Sequence, residues 1–403
     1  MYNINIITTS CTFLPSLRGG ARAALAARGW GFFHLSHITP LPKGRGKSRF
    51  SGEGVGLLLL LLLCISCGKK SYDEIGTTGK TVRTENVQAN LLPYEERGAM
   101  LGQMYATAEG IGWEGDSCRS DLNEVTGDHP AVVGYELAGI ESGKARNADG
   151  IDTALIQRTA VEFMHRQGLA VMLWTAPNPG ANPLDDGSPA NEKLKAWTMR
   201  IAAFLASLHD GYGIKLPTLV YLYPSGLGQW YDRLSADDYR RLYDQTAKWL
   251  QDDGKTTNAI FGFSNATVQG SADSFVARCP KDGVSCVQLM YLADGDTAYA
   301  ANLLRMARQL SAWCSSAMMP LGVYTGLKGM GGDAEFWSKS LLPVVEQCRL
   351  SYLMLGRNHG DFQQGDFYGP YPGNATTGDF LKLYNSQRTV MARKLNGLWL
   401  KKE

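Results

Sequence analysis

Eight short apolar runs, each separated from the next by a helix-spaced or long polar stretch, constrain this chain more than any other feature. They occupy 99–103, 131–135, 170–174, 218–223, 258–263, 286–291, 319–324 and 351–355. Between them, Leu194, Trp197, Ile201, Phe204, Leu205 and Leu208 follow the i, i+3, i+4, i+7 spacing of an amphipathic helix. Leu303, Met306, Ala307, Leu310, Trp313 and Cys314 repeat it. Ser235, followed by Asp237 and Asp238, supplies a capping hydroxyl and an acidic first turn for another helix. Eight apolar strands alternating with helices over 94–399 predict one α/β domain, a (β/α)8 TIM barrel, rather than an open doubly wound sheet. No glycine-rich phosphate loop follows a strand, so no nucleotide cofactor is expected.

Charge narrows the partners. Seven of the 40 basic residues but only one of the 38 acidic ones (Glu53) fall in 1–66, so 33 basic residues face 37 acidic ones from residue 67 onward. A mildly acidic body of this kind carries no footprint for nucleic acid.

Residues 57–63 are an unbroken leucine run, preceded by Lys43, Arg45, Lys47 and Arg49 and followed by Cys64-Ile65-Ser66-Cys67. The run is too short to span a bilayer and reads as the apolar part of a secretory signal. Ser66-Cys67 is similar to the cleavage site of bacterial lipoproteins. Residues 1–66 are therefore expected to be a signal segment with a misassigned start, Cys67 a lipidated first residue, and 67–93 a polar membrane tether. The chain is then an exported, membrane-anchored lipoprotein of the cell envelope. Cys118, Cys279, Cys286, Cys314 and Cys348 match no zinc spacing, so no metal is expected. Two readings of Cys279 and Cys286 stay open: a bridge across the 280–285 loop, or small buried hydrophobes.

In such a barrel the C-terminal ends of the strands form the working face. They supply Gln103, Met104 and Tyr105; Glu136; Trp174 and Thr175; Tyr223 and Ser225; Ser264 and Asn265; Tyr291; Tyr324; and Arg357 with Asn358. Aromatic faces stack on sugar rings and amides read hydroxyls, which points to a carbohydrate cleft; the alternative is that the aromatics cap the barrel core.

The stretch 120–141, Ser-Asp-Leu-Asn-Glu-Val-Thr-Gly-Asp-His-Pro-Ala-Val-Val-Gly-Tyr-Glu-Leu-Ala-Gly-Ile-Glu, resembles the early signature of glycoside hydrolase family 26, the β-mannanases. The segments 341–343, 351–358 and 367–373 resemble that family's C-terminal block. The resemblance implies a barrel acting on β-linked mannan, with a glutamate acid/base after the fourth strand and a glutamate nucleophile after the seventh. It places Ser225 at the acid/base position and Tyr324 at the nucleophile position. Thr175 and Gly356 stand where the family has His and Trp, whereas Asp121, Glu136, Glu141, Trp174, Trp230, Tyr291, Arg357 and Asn358 match it.

Retaining hydrolysis needs two carboxyl groups about 5–5.5 Å apart, and a serine near neutral pH is no acid. The expectation is a catalytically impaired glycan-binding protein of polysaccharide utilisation. Trp174, Tyr223, Trp230, Tyr291, Tyr324, Arg357 and Asn358 are its expected contacts with a β-linked polysaccharide. Two alternatives stand beside it. One is an active endo-β-mannanase type enzyme that uses Asp232, Asp294 or Asp296, or a Tyr324 nucleophile; the other is a scaffold subunit of a glycan-uptake complex.

Overall fold

The structure, a computed structural model, describes residues 74–116, 118–363 and 365–401. The leucine run, Ser66 and Cys67 lie outside the described residues. Eight parallel strands form a closed barrel: β1 (Ala99–Met104), β2 (Val132–Glu136), β3 (Leu169–Trp174), β4 (Thr218–Leu222), β5 (Ala259–Asn265), β6 (Val287–Ala293), β7 (Leu321–Leu327) and β8 (Tyr352–Leu355). Each pairs with the next, and β8 pairs with β1 in the register Met100–Tyr352 to Gln103–Leu355. Closure leaves the barrel without a free edge. Every residue of β1 to β5 and of β7 and β8 is buried, because helices cover the outside while side chains fill the inside. That double burial is why the strands read as continuous apolar runs rather than alternating ones.

The interior carries one polar thread. Ser264 Oγ donates to Gln288 Oε1 (2.7 Å), Gln288 Nε2 to the Tyr352 hydroxyl (2.7 Å), Tyr352 to the Tyr221 hydroxyl (2.8 Å), and Tyr221 to Cys286 Sγ (3.2 Å). Each buried polar atom in it thus has a partner, which avoids the cost of an unsatisfied group. Gly322 makes room for the thread, since a Cβ there would lie 2.2 Å from the Tyr352 ring.

The expected helices form as α4 (Pro189–Ser207), α5 (Ala236–Lys248) and α7 (Tyr299–Ser316), preceded by α1 (Val82–Tyr94), α2 (Asp121–Thr126) and α3 (Thr153–Met164), with α6 (Ala272–Val276) between α5 and α7. Ser235 caps α5, accepting from Asp238 N.

One expectation needs correction. Residues 82–94 are not tether: Thr81 caps α1, and Val87, Leu91 and Tyr94, on one helical face, are buried in the core. Asn90 of the same helix donates to the carbonyls of Leu398 (2.9 Å) and Leu400 (2.8 Å), joining it to the end of the chain. Of the two readings left open for Cys279 and Cys286, the structure has the unbridged one: both are thiols, and burial pushes each up to about 12.

Candidate functional site

After β4 the chain turns through Tyr223, whose φ of 53° is unusual for a non-glycine residue, and rejoins the sheet at Ser225 opposite Asn265. Ser225 is 2% exposed. Its hydroxyl donates to Asp232 Oδ1 at 3.0 Å, and Gly226 N reaches the same oxygen at 2.8 Å. Gln229 N occupies Oδ2 at 2.9 Å, while Arg278 pairs with Asp232 at 3.6 Å and donates to Ser225 Oγ at 3.3 Å. Asp232 therefore caps the short helix Trp230–Arg233 and neutralises Arg278. Both of its oxygens thus serve the local turn.

Tyr324 lies mid-strand on β7, opposite Met290 and Met354, and is 6% exposed. Burial pushes its phenol well above the ordinary tyrosine range, the Asp149 and Glu136 carboxylates add to this, and the Arg357 cation opposes them. A phenolate nucleophile is thereby disfavoured.

The polar centre lies at the end of β2. Glu136, at the end of β2, accepts from Ala138 N (2.8 Å) and Thr175 N (3.0 Å) on Oε1, and from Thr175 Oγ1 (2.9 Å) on Oε2. Burial outweighs these bonds and, with Asp149 nearby, raises its carboxyl to about 7. Tyr105 ties this sector together: its hydroxyl donates to Asp149 Oδ2 (2.7 Å) and accepts from Asn147 Nδ2 (2.7 Å) and Glu136 N (3.1 Å). Arg357 Nη1 donates to the carbonyl of Asp149 (3.0 Å) and pairs with Glu109 (3.6 Å). The loops after β2 and β3 enclose a cavity of ≈ 600 Å³ lined by Glu136, Glu141, Lys144, Asp149, Thr175, Trp197 and Gln229 among others. That volume suits a few sugar units, and the carboxylates, amide and hydroxyl on its wall match their hydroxyls.

Several expected contacts are placed elsewhere. Trp174 and Tyr223 are fully buried: Trp174 Nε1 donates to Glu141 Oε2 (3.3 Å), and the Tyr223 hydroxyl bonds Thr246 of α5 (2.7 Å). Both support the cleft from beneath, because the turn at Tyr223 sends its ring under α5 instead of into the barrel mouth. Ser264 lies within β5 and Asn265 is its last residue, and both are buried. Asn358, 1% exposed, holds backbone: Oδ1 accepts from Tyr368 N (3.1 Å) and Gly369 N (2.9 Å), and Nδ2 donates to Asp121 (2.8 Å). Tyr291 is 8% exposed, with its hydroxyl on Asp296, which also caps the backbone at Ala298. Trp230 and Arg357 remain part-exposed, and Trp230 Nε1 donates to the carbonyl of Ala176 (2.9 Å).

Asp149, Lys144, Trp197 and Gln229 were absent from the sequence reading of the site. Asp149, Lys144 and Gln229 come from loops, where apolar periodicity is silent and only the Asn-Ala-Asp-Gly turn at 147–150 hints at a structured loop, while periodicity assigned Trp197 to a helix without showing that it reaches the cleft.

The fold is a (β/α)8 barrel with a polar cleft beside the ends of β2 and β3, and comparison with known proteins makes its likeness specific. The β-mannanase BoMan26A of Bacteroides ovatus, from glycoside hydrolase family 26, superposes with a TM-score of 0.75 at 26% identity, over 80% of this chain and 98% of that one. The family 26 protein GH26C of a Muricauda species and the endo-β-1,4-mannanase of Cellulomonas fimi each give 0.70, at 18% and 21% identity, over 80% of this chain and 94% and 78% of theirs. A mannan endo-1,4-β-mannosidase of Bifidobacterium adolescentis is 25% identical over 341 residues, which cover 73% of this chain. The matched region spans about a third of that relative, 33% of its length. No family model matches the chain. The barrel thus has a family 26 mannanase-like fold, and the chain is similar in sequence to a mannan endo-1,4-β-mannosidase.

Proposed function

We propose that this protein binds a β-linked polysaccharide, mannan by kinship, without cleaving it. One observation carries the reading: Ser225, which the resemblance puts at the acid/base position, is sealed by Asp232 and Arg278 in a barrel that keeps a sugar-sized cavity. Loss of a positioned general acid alone forfeits about 10²–10⁴-fold in rate, and Tyr324 offers no carboxylate to form a glycosyl-enzyme. Lys144, Asp149, Thr175 and Gln229 supply hydroxyl-reading groups, and Trp197 supplies an apolar wall. The leucine run and Ser66-Cys67 support export and anchoring through Cys67, which suits a role in capturing polysaccharide at the cell envelope.

A second reading has its own observation. Glu136, with a carboxyl at about 7, faces the same cavity as Asp149 and Glu141, and a carboxyl protonated near neutrality is what a general acid requires. A reducing-sugar assay on mannan, paired with calorimetric titration of β-1,4-mannohexaose, separates the two. Binding without turnover supports the first reading. Turnover that Glu136→Gln abolishes supports the second, and neither binding nor turnover on any β-glycan leaves a scaffold role.

A further inference from the structure

We propose that Tyr368 is a stacking platform for the apolar face of a neutral β-linked pyranose at the mouth of the barrel. This rests on the glycan-binding reading and adds to it a contact outside the cavity. β7 and the residue after β8 present glycine against this side chain. A Cβ on Gly326 would lie 2.8 Å from Tyr368 Cδ1, and one on Gly356 would lie 2.6 Å from Cγ. Any larger residue at either place would displace the ring, so the two glycines together make its seat.

The backbone beneath the ring is equally fixed. Asn358 Oδ1 accepts from Tyr368 N and Gly369 N, and Asn358 is itself held by buried Asp121. A platform fixed in this way loses little conformational freedom when a ligand arrives.

Despite this packing, Tyr368 remains part-exposed. Leu292, 39% exposed, extends the same surface: its Cδ2 stands 3.0 Å from the Cβ position of Gly356. Charged groups ring this apolar centre. Lys328 pairs with Asp366 at 2.5 Å, and Asp366, Lys328, Asp294 and Arg357 all lie within electrostatic reach of the Tyr368 hydroxyl. An apolar floor with a rim of hydrogen-bonding groups of both signs fits a pyranose, which presents C–H groups on its face and hydroxyls at its edge. It does not favour an anionic ligand, because the carboxylates of Asp294 and Asp366 offset Arg357 and Lys328.

The test is calorimetric titration of β-1,4-mannohexaose, cellohexaose and xylohexaose into the wild type and three variants. Tyr368→Ala should weaken the best ligand by about 2- to 12-fold, the range expected for loss of one stacked aromatic. Tyr368→Phe should bind within about twofold of the wild type, because the face rather than the hydroxyl makes the contact. Tyr368→Leu keeps apolar volume on the two glycines, guards against a folding defect in the alanine variant, and should weaken binding as alanine does. Wild-type affinity in both Tyr368→Ala and Tyr368→Leu overturns the platform and leaves glycan binding intact. A wild type that binds none of the three sugars overturns both.

Discussion

Ser225 donates to Asp232 at 3.0 Å, and Arg278 reaches both of them. The end of the fourth strand is therefore a closed polar knot, where resemblance to the mannanases implies an exposed proton donor. Asp232 holds this turn, accepting from Gly226 N and Gln229 N as well as from Ser225.

Restoring the acid at this point should fail. Ser225→Glu adds a longer side chain to a position 2% exposed and sets a second carboxylate beside Asp232. Overpacking of this kind costs about 1–3 kcal/mol. The double variant Ser225→Glu, Tyr324→Glu should melt earlier than the wild type and release no reducing ends from mannan. Clear turnover by the double variant would show that the knot opens readily and that only two side chains separate binder from enzyme.

Glu136 makes stability depend on pH in an unusual direction. Its proton is held in the folded state up to about 7, whereas the unfolded chain gives it up in the ordinary carboxylate range. The folded state then binds more protons between those limits, so this contribution to stability is full below the ordinary range and is lost as pH rises through about 7. Glu136→Gln should lose less stability than the wild type over that interval in urea titrations at stepped pH. A constant difference between the two proteins across the interval would refute the assignment.

His129 works in the opposite sense. Burial, with Arg166 and Arg393 nearby, lowers its imidazole to about 4, and Nδ1 has no hydrogen-bond partner. The unfolded chain takes up this proton first on acidification, so the contribution is lost as pH falls from the ordinary histidine range through about 4. His129→Leu should flatten the acid limb of the stability curve while leaving the Glu136 limb unchanged. An acid limb as steep as that of the wild type would count against it.

All eight strands were legible in the sequence because each is buried on both faces and so reads as one apolar run. Their ends were less so: β7 continues to Leu327 because Leu292 and Ala293 of β6 pair with Gly326 and Leu327, a tertiary effect that no local pattern reports. Helix α1 was misread as tether because its core face, Val87, Leu91 and Tyr94, is interspersed with six polar residues, Arg83, Thr84, Glu85, Asn86, Gln88 and Asn90. The sequence put Ser225 just past β4, where it lies, and Tyr324 at the end of the seventh strand, whereas β7 runs on to Leu327 and leaves Tyr324 in its middle. The side chains around them were not legible, because Tyr223 leaves the strand in a left-handed conformation and takes its ring out of the mouth.

Anchoring can be checked without reference to the fold. Cys67→Ala should abolish incorporation of labelled palmitate and leave the protein unprocessed or released from the membrane fraction. Label retained in this variant would move the lipid to another residue or remove it from the account.

Asp121 joins the cleft to the outer turns. Oδ1 accepts from Trp113 Nε1 (2.7 Å), and Oδ2 accepts from Ile111 N (3.0 Å) and Asn358 Nδ2 (2.8 Å). Asp121→Ala strands three donors in a site where the carboxylate was 2% exposed. A buried donor left unpaired costs about 1–3 kcal/mol, so a total loss of at least about 3 kcal/mol is expected in chemical denaturation. Asn358 seats the backbone of Tyr368 and Gly369, so mannohexaose affinity should fall as well, although Asp121 touches no sugar. Asp121→Asn keeps the shape but presents one amide donor to neighbours that are all donors, and should fall between alanine and the wild type in both measurements. If stability drops and affinity is unchanged, Asn358 holds its loop without help from Asp121, and the coupling from the outer turns to the cleft is broken.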